Sequence, residues 1–209
     1  MEWTEFYRER DYDRIAYLAG DDMPDLLGRF FSRTRTPDTM LSVGCGPAVT
    51  EFAVAERHPE TAVHGVDVSE DLIGDNRELA ADAGLGNLTF AVDSLPDLDA
   101  GGEYDLVYCV ATLFFVEDVD RALESLWSRV AAGGFLVVSY PSTGTRRGAM
   151  AMDEQSRAFF SLVVGEENLR TREAVESVLG TAVEDFWDAV DAPEEPYREF
   201  APTVYARRE

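Results

Sequence analysis

The sequence predicts a three-layer α/β/α sandwich whose central sheet has seven strands, mostly parallel, with a C-terminal antiparallel hairpin. Three observations predict it. Apolar, β-prone runs alternate with helical patterns from about residue 39 to 140, the order expected when helices cover both faces of a parallel sheet. The stretch LSVGCGPAV, Leu41 to Val49, passes from a β-prone run through Gly44, Cys45, Gly46 and Pro47 directly into a helical pattern, which exposes backbone N–H groups at a strand-to-helix turn. Finally, VEDFWDAV at 183–190 and FAPTVYAR at 200–207 are β-prone runs separated by a Pro-rich connection, which suits two antiparallel strands at one edge.

Taken in chain order, two helical stretches form an N-terminal cap over residues 1–37. In the second, Asp22 can cap, Pro24 suits the first turn, and Leu26, Leu27, Phe30 and Phe31 form one apolar face. Strands are expected near 39–44, 61–67, 88–93, 104–110 and 133–140, with helices near 49–58, 70–83 and 118–130. An extra segment, 142–170, follows the fifth strand: a flexible STGTRRGAM, then a helix from Asp153 to Val164 carrying Phe159, Phe160, Leu162 and Val163. It leaves the carboxyl edge of the sheet, where ligands bind, and reads as a substrate lid facing the N-terminal helices; a helix packed on the sheet is the alternative. Phe6, Tyr7, Tyr12, Phe114, Phe115 and Tyr140 are candidates to line the pocket between them. Thr171 to Leu179 is the last expected helix. The length, 209 residues with 45% hydrophobic content and no internal repeat, suits one domain with a substantial core.

The glycine turn gains meaning from HGVDVSED, which places Asp67 about twenty residues downstream at the end of the next strand. A tight glycine turn beside a strand-end carboxylate forms a nucleoside crevice: the turn admits the ligand and the acid accepts from ribose hydroxyls. A dinucleotide fingerprint needs a third glycine, and that position is Val49, which obstructs close approach of a pyrophosphate. The chain has no lysine, which excludes a Walker loop, a Tyr-Lys dehydrogenase pair and Schiff-base chemistry. An adenosine cofactor without phosphates fits better.

Five motifs in register then carry a resemblance: VGCGPA at 43–48, GVDVSED at 65–71, AVDSLPDL at 91–98, YDLVYCVATLFFVEDVDRAL at 104–123 and AAGGFLVVSYP at 131–141. Together, from about Thr39 to Pro141, they resemble the ordered motifs of Class I S-adenosylmethionine-dependent methyltransferases. The resemblance implies a Rossmann-like sandwich and S-adenosylmethionine as cofactor. It implies that Gly44, Cys45 and Gly46 bring backbone close to the methionine part, that Asp67 holds the ribose hydroxyls and that Val68 packs on adenine. Asp93 would accept from the exocyclic amine beside the backbone of Ser94, with a turn former before Leu95-Pro96 as the alternative, and Val110, after the fourth strand, completes the implied contacts. The family usually has an acid where Ser42 stands and glycine where Ala48 stands, so the contacts to the cofactor's amino end depart from the pattern.

Formal net charge is −23, from 41 acids against 18 arginines. Such a chain repels itself in dilute buffer, whereas molar salt shortens the Debye length to about 3 Å. A salt-rich cytosol and a halophilic, archaeon-like background explain the balance; an acidic surface for a basic partner is the alternative. The N-terminus has no basic-then-apolar leader pattern, and the longest nearly apolar run, Leu106 to Val116, is far short of the about 20 residues a bilayer span needs. The expectation is therefore a cytoplasmic protein without membrane contact. Cys45 and Cys109 lack metal-ligand spacing and read as buried free thiols, so no metal site is expected.

No catalytic base is legible. His58 falls at a helix end beside Pro59, His64 lies within the second strand, and Asp118 reads equally well as a helix cap. The fourth strand lacks the Asn/Asp-Pro-Pro-Tyr motif of amino-methylating DNA enzymes, and no basic, aromatic-interleaved stripe points to nucleic acid. Arg146 and Arg147 are the one local positive feature, suited to an anionic substrate or to plain solvation. A small-molecule acceptor is the favoured reading. A non-catalytic, methyltransferase-like cofactor-binding or partner subunit and an NAD-dependent oxidoreductase are the alternatives, and nothing in the sequence bears on oligomeric state.

Overall fold

The computed structural model describes residues 22–209. The stretch before residue 22, with the expected first helix and with Phe6, Tyr7 and Tyr12, lies outside the described residues. Helix α1 (Met23–Arg33) has Pro24 in its first turn and buries Met23, Leu26, Leu27, Phe30 and Phe31 on one face. Asp22 stands at its N-cap without a side-chain capping bond. The apolar face compensates, since each such side chain contributes roughly 1.5–3 kcal/mol on burial and a cap is worth only about 1 kcal/mol.

Five strands, β1 (Thr39–Val43), β2 (Ala62–Asp67), β3 (Leu88–Val92), β4 (Tyr104–Cys109) and β5 (Val130–Ser139), run parallel. The edge is closed by β6 (Glu184–Asp185) and β7 (Thr203–Arg207), with β7 antiparallel to both of its neighbours. Among the described residues these seven strands make one sheet in the order β3-β2-β1-β4-β5-β7-β6. The order reverses between β1 and β4, and in open α/β sheets such a switch point opens a crevice at the carboxyl ends of the strands.

Helices α2 (Val49–Arg57), α3 (Glu70–Asp82) and α4 (Val119–Ser128) fill the β1–β2, β2–β3 and β4–β5 connections as expected, while β3 runs to β4 through a loop. After β5 come α5 (Thr143–Met150), α6 (Glu154–Phe159), α7 (Ser161–Val164), α8 (Arg172–Leu179), α9 (Phe186–Ala189) and α10 (Pro196–Phe200). Successive strand residues face opposite sides. Met40, Leu106, Tyr108 and Val137 therefore join α1, α2 and Ile73 of α3 in one core, while Leu41, Val107, Cys109 and Leu136 join α4 and α8 in the other.

Three expectations are corrected. The run 183–190 is a strand only at Glu184–Asp185 and then turns into α9. Asp185 accepts the N–H of Asp188 at 2.8 Å, and the adjacent Phe186 and Trp187 are both buried, which one strand facing solvent on one side cannot arrange. Residues 196–200 are likewise helical, so the last strand begins at Thr203. Second, STGTRRGAM is not a flexible loop: Ser142 and Thr145 form a capping box that starts α5. Its glycines are points of close approach, because a Cβ on Gly144 would lie 2.3 Å from the Glu199 carbonyl oxygen and one on Gly148 would lie 2.4 Å from the Phe200 ring. Third, the helix expected from Asp153 to Val164 is broken at Phe160 into α6 and α7.

Candidate functional site

The turn that leaves β1 is hooked to β2 by its own backbone: Gly44 and Cys45 both donate to the Val66 carbonyl oxygen, at 2.8 and 3.0 Å. Gly44 has φ +74°, and a Cβ there would lie 2.2 Å from Thr112 Oγ1, so both conformation and space demand glycine. Thr112 in turn donates to the Val43 carbonyl oxygen at 3.2 Å, tying the end of β1 to the segment after β4. Ala48, where the resemblance expects glycine, holds a left-handed φ of 59° at the N-cap of α2.

Asp67 ends β2 and is 8% exposed. Its Oδ2 accepts from Gly46 N–H at 2.9 Å and its Oδ1 from Ser69 N–H at 3.0 Å. Burial raises its carboxyl above the usual range, against the pull of those N–H bonds. Beside it Val68 is 47% exposed, an apolar surface at the rim of the crevice. Gly46 is held a second time by Asn76, whose Nδ2 donates to the Gly46 carbonyl oxygen at 2.8 Å.

On the inner side of the turn lies a carboxyl that the sequence reading did not single out. Glu51, on α2, is buried and accepts a hydrogen bond from the Ser42 hydroxyl. Burial is the main reason its carboxyl is pushed up to about 7. The same burial, reinforced by Glu51 and Asp67, pushes the Cys45 thiol well up, and the Cys109 thiol, buried in the sheet, rises to about 12. Both cysteines are free and both stay protonated at neutral pH. The signal for Glu51 and Asn76 was present in the pattern: each is polar yet sits on the buried stripe of its helix, with Val54 and Ala55 on α2 and with Leu72, Ile73 and Ala80 on α3.

The structure thus brings Gly44, Cys45, Gly46, Asp67 and Val68 to one end of the sheet, with Asp93 and Ser94 after β3 and Val110 after β4 on the same edge. Asp93 has a task of its own there. Its two carboxylate oxygens accept from the N–H groups of Ser94, Asp99 and Ala100 at 2.8–3.1 Å, so the acid organises the loop that carries it.

The acid-base candidates sit in structural roles. His58 ends α2 with its ring against Phe31. His64 pairs with Thr89 Oγ1 at 2.9 Å, and burial lowers its pKa. Asp118 caps α4 through Arg121 N–H at 3.1 Å. Arg146 pairs with Glu166 and Arg147 with Glu199. Tyr140 and Phe114 are core residues on opposite faces, whereas Phe115 and Phe160, ring centroids 5.2 Å apart, are partly exposed beside the crevice-edge segment.

Residues 41–136 match a family model described as "Methyltransferase domain". The malonyl-[acyl-carrier protein] O-methyltransferase 1 of Ilyobacter polytropus is 26% identical over 130 residues, 62% of this chain and 47% of that protein. A trans-aconitate 2-methyltransferase of Streptomyces avermitilis is 31% identical over 136 residues, 62% of this chain and 51% of that protein. The match spans about half the length of each of these relatives. Among solved structures, magnesium protoporphyrin IX methyltransferase from Synechocystis PCC 6803, with bound S-adenosylhomocysteine, superposes with a TM-score of 0.64 at 18% identity, over 90% of this chain and 83% of that one. The fold is the Rossmann-like methyltransferase sandwich.

Proposed function

We propose that this methyltransferase fold binds S-adenosylmethionine and transfers its methyl group to a small-molecule acceptor. The observation that carries the reading is the closure of the glycine turn onto Asp67 through the 2.9 Å bond from Gly46. A bare-backbone cradle, in which a Cβ on Gly44 would collide with Thr112, lies beside a strand-end carboxylate with lone pairs left over. That combination suits a nucleoside with a flexible, unphosphorylated arm.

Gly44, Cys45 and Gly46 would receive the amino-acid arm, Asp67 the ribose hydroxyls and Val68 one face of the adenine. The loop organised by Asp93 would present the backbone of Ser94 to the base edge, and Val110 would flank the crevice from β4. When bound, the cofactor supplies a methyl group already activated by its sulfonium charge. The chain's own work is to hold the acceptor in line, with reacting atoms about 3–3.5 Å apart, and to exclude water. The partly exposed Phe115 and Phe160 supply an apolar wall for that purpose. The malonyl and aconitate relatives are named for acidic acceptors, which supports a small organic acid as the first acceptor class to try.

Calorimetry in high salt tests the cofactor: S-adenosylmethionine and S-adenosylhomocysteine should bind, and NAD and ATP should not. Transfer of a labelled methyl group into a panel of small carboxylic acids, phenols and amines tests the activity. Binding of NAD or ATP without either sulfur nucleoside would overturn the reading.

A further inference from the structure

Glu51 is a buried carboxyl with no positive charge facing it among the described residues. Ser42 from β1, Tyr108 from β4, Cys45 from the turn and Asp67 from β2 surround it. Its own helix adds Thr50, which is hydrogen-bonded to Tyr108. All of these are neutral or acidic, and Glu51 is 2% exposed. A carboxyl in such a place is neutral, or it waits for a cation from outside the described residues. Cys45, close enough to Glu51 and Asp67 for both to raise its thiol, belongs to the turn that would receive the ligand's flexible arm.

We propose that Glu51 is the counter-charge for the positively charged amino-acid end of the cofactor, acting across the Gly44–Gly46 turn. The inference rests on the S-adenosyl reading above and adds to it a residue and a linkage. Because burial pushes the Glu51 carboxyl up to about 7, the free chain holds a proton there over much of the neutral range. A cation brought alongside favours the carboxylate, so the O–H bond of Glu51 breaks and the proton passes to the buffer as the ligand binds. Asp67, also raised by burial, faces the nucleoside, so any proton it exchanges is common to every ligand with a ribose.

The test compares S-adenosylhomocysteine with 5′-methylthioadenosine, two thioethers that share adenine and ribose and differ in the amino-acid arm. Titration calorimetry at about pH 6, in buffers of different ionisation enthalpy, counts the protons exchanged. The wild-type chain should release close to one more proton with S-adenosylhomocysteine than with methylthioadenosine. Glu51→Gln, which keeps the side-chain shape, should abolish the excess and weaken S-adenosylhomocysteine about tenfold or more, while methylthioadenosine stays within about twofold. Equal proton counts in the wild type, or equal weakening of both ligands in the variant, would overturn the assignment. If neither nucleoside binds the wild type, the cofactor reading itself fails and this inference falls with it.

Discussion

Gly46 donates its backbone N–H to Asp67 Oδ2 at 2.9 Å, and that bond joins the glycine turn after β1 to the end of β2. The carbonyl of the same glycine accepts from Asn76 at 2.8 Å, so the turn is fixed from two elements before any ligand arrives. A pre-formed crevice loses less entropy on binding.

Asp67 fastens the turn and, on the proposed function, also holds the ribose; two variants separate the two roles. Asp67→Asn keeps the packing and one of the two acceptor oxygens, so it should lower the melting temperature less than Asp67→Ala does. It should weaken S-adenosylmethionine about tenfold or more, because charge-assisted bonds to hydroxyls are worth about 1.5–3 kcal/mol each. Asp67→Ala removes the acceptor for both Gly46 and Ser69 and should lower affinity and melting temperature together. Unchanged affinity in both variants would leave Asp67 as a turn fastener alone.

Stability should depend on pH through Glu51. Its carboxyl rises from an ordinary value of 4.5 to about 7 in the fold, so across that window the native chain binds more protons than the unfolded chain and stability falls as pH rises. Above the window the buried carboxylate costs on the order of 3 kcal/mol. Burial raises Asp67 in the same direction. Glu51→Gln should flatten the decline and make the chain more stable than wild type near pH 8, even as it weakens the cofactor. Urea denaturation at about pH 5 and about pH 8 measures the difference, and a variant less stable than wild type at the higher pH contradicts the account.

The parallel half of the fold was legible because three of its four connections repeat one local grammar, an apolar run, a turn and an amphipathic helix, and Gly44 and Asp67 sit at fixed points in it. The C-terminal part was not, because Phe186 and Trp187 read as β-prone although their simultaneous burial requires a helix. Glycine misled in α5 for a similar reason: Gly144 and Gly148 suggest a mobile loop, but they mark where α10 packs too closely for a side chain. Ser42 looked like a missing acid. In space Ser42 donates to an acid, Glu51, nine positions further along the chain in the first turn of α2, and a periodicity that scores apolar residues passes over it. Asp93 reads both as a ligand contact and as a turn former, and the reach of its loop bonds to Asp99 and Ala100 depends on a fold-back that spacing does not reveal.

The acidic surface should make folding salt-dependent. Many of the arginines already lie beside an acid, as in Arg35 with Asp105, Arg57 with Asp25 and Arg170 with Asp120, so the excess of 41 acids over 18 arginines remains as mutual repulsion. Screening it needs a Debye length of about 3 Å, reached near molar salt. Melting temperature should climb steeply between dilute buffer and molar potassium chloride. A flat profile would count against a salt-rich setting for this chain.

The segment 142–170 should gate the acceptor side, with the movement confined to its middle. Both ends are fastened: Ser142 caps α5, and Asn168 donates to the carbonyl oxygens of Phe114 and Val116 at 3.1 and 3.0 Å. Between them α6 buries no residue, and the break at Phe160 leaves its ring tilted against Phe115 and edge-to-face with Phe200, centroids 5.2 and 5.6 Å away. Such aromatic pairs are worth about 0.5–1.5 kcal/mol each beyond their burial, little enough to open locally while the sheet stays closed. Hydrogen exchange in the free chain should therefore be fast over 153–164 and slow in β1 and β4, and cofactor with acceptor together should slow it over 153–164. Phe160→Ala should change acceptor turnover while sparing cofactor affinity, since the cradle at Gly44 and Asp67 lies on other elements. If 153–164 is as protected as β1 and β4 in every state, the segment is a fixed wall and the gate is lost from the mechanism.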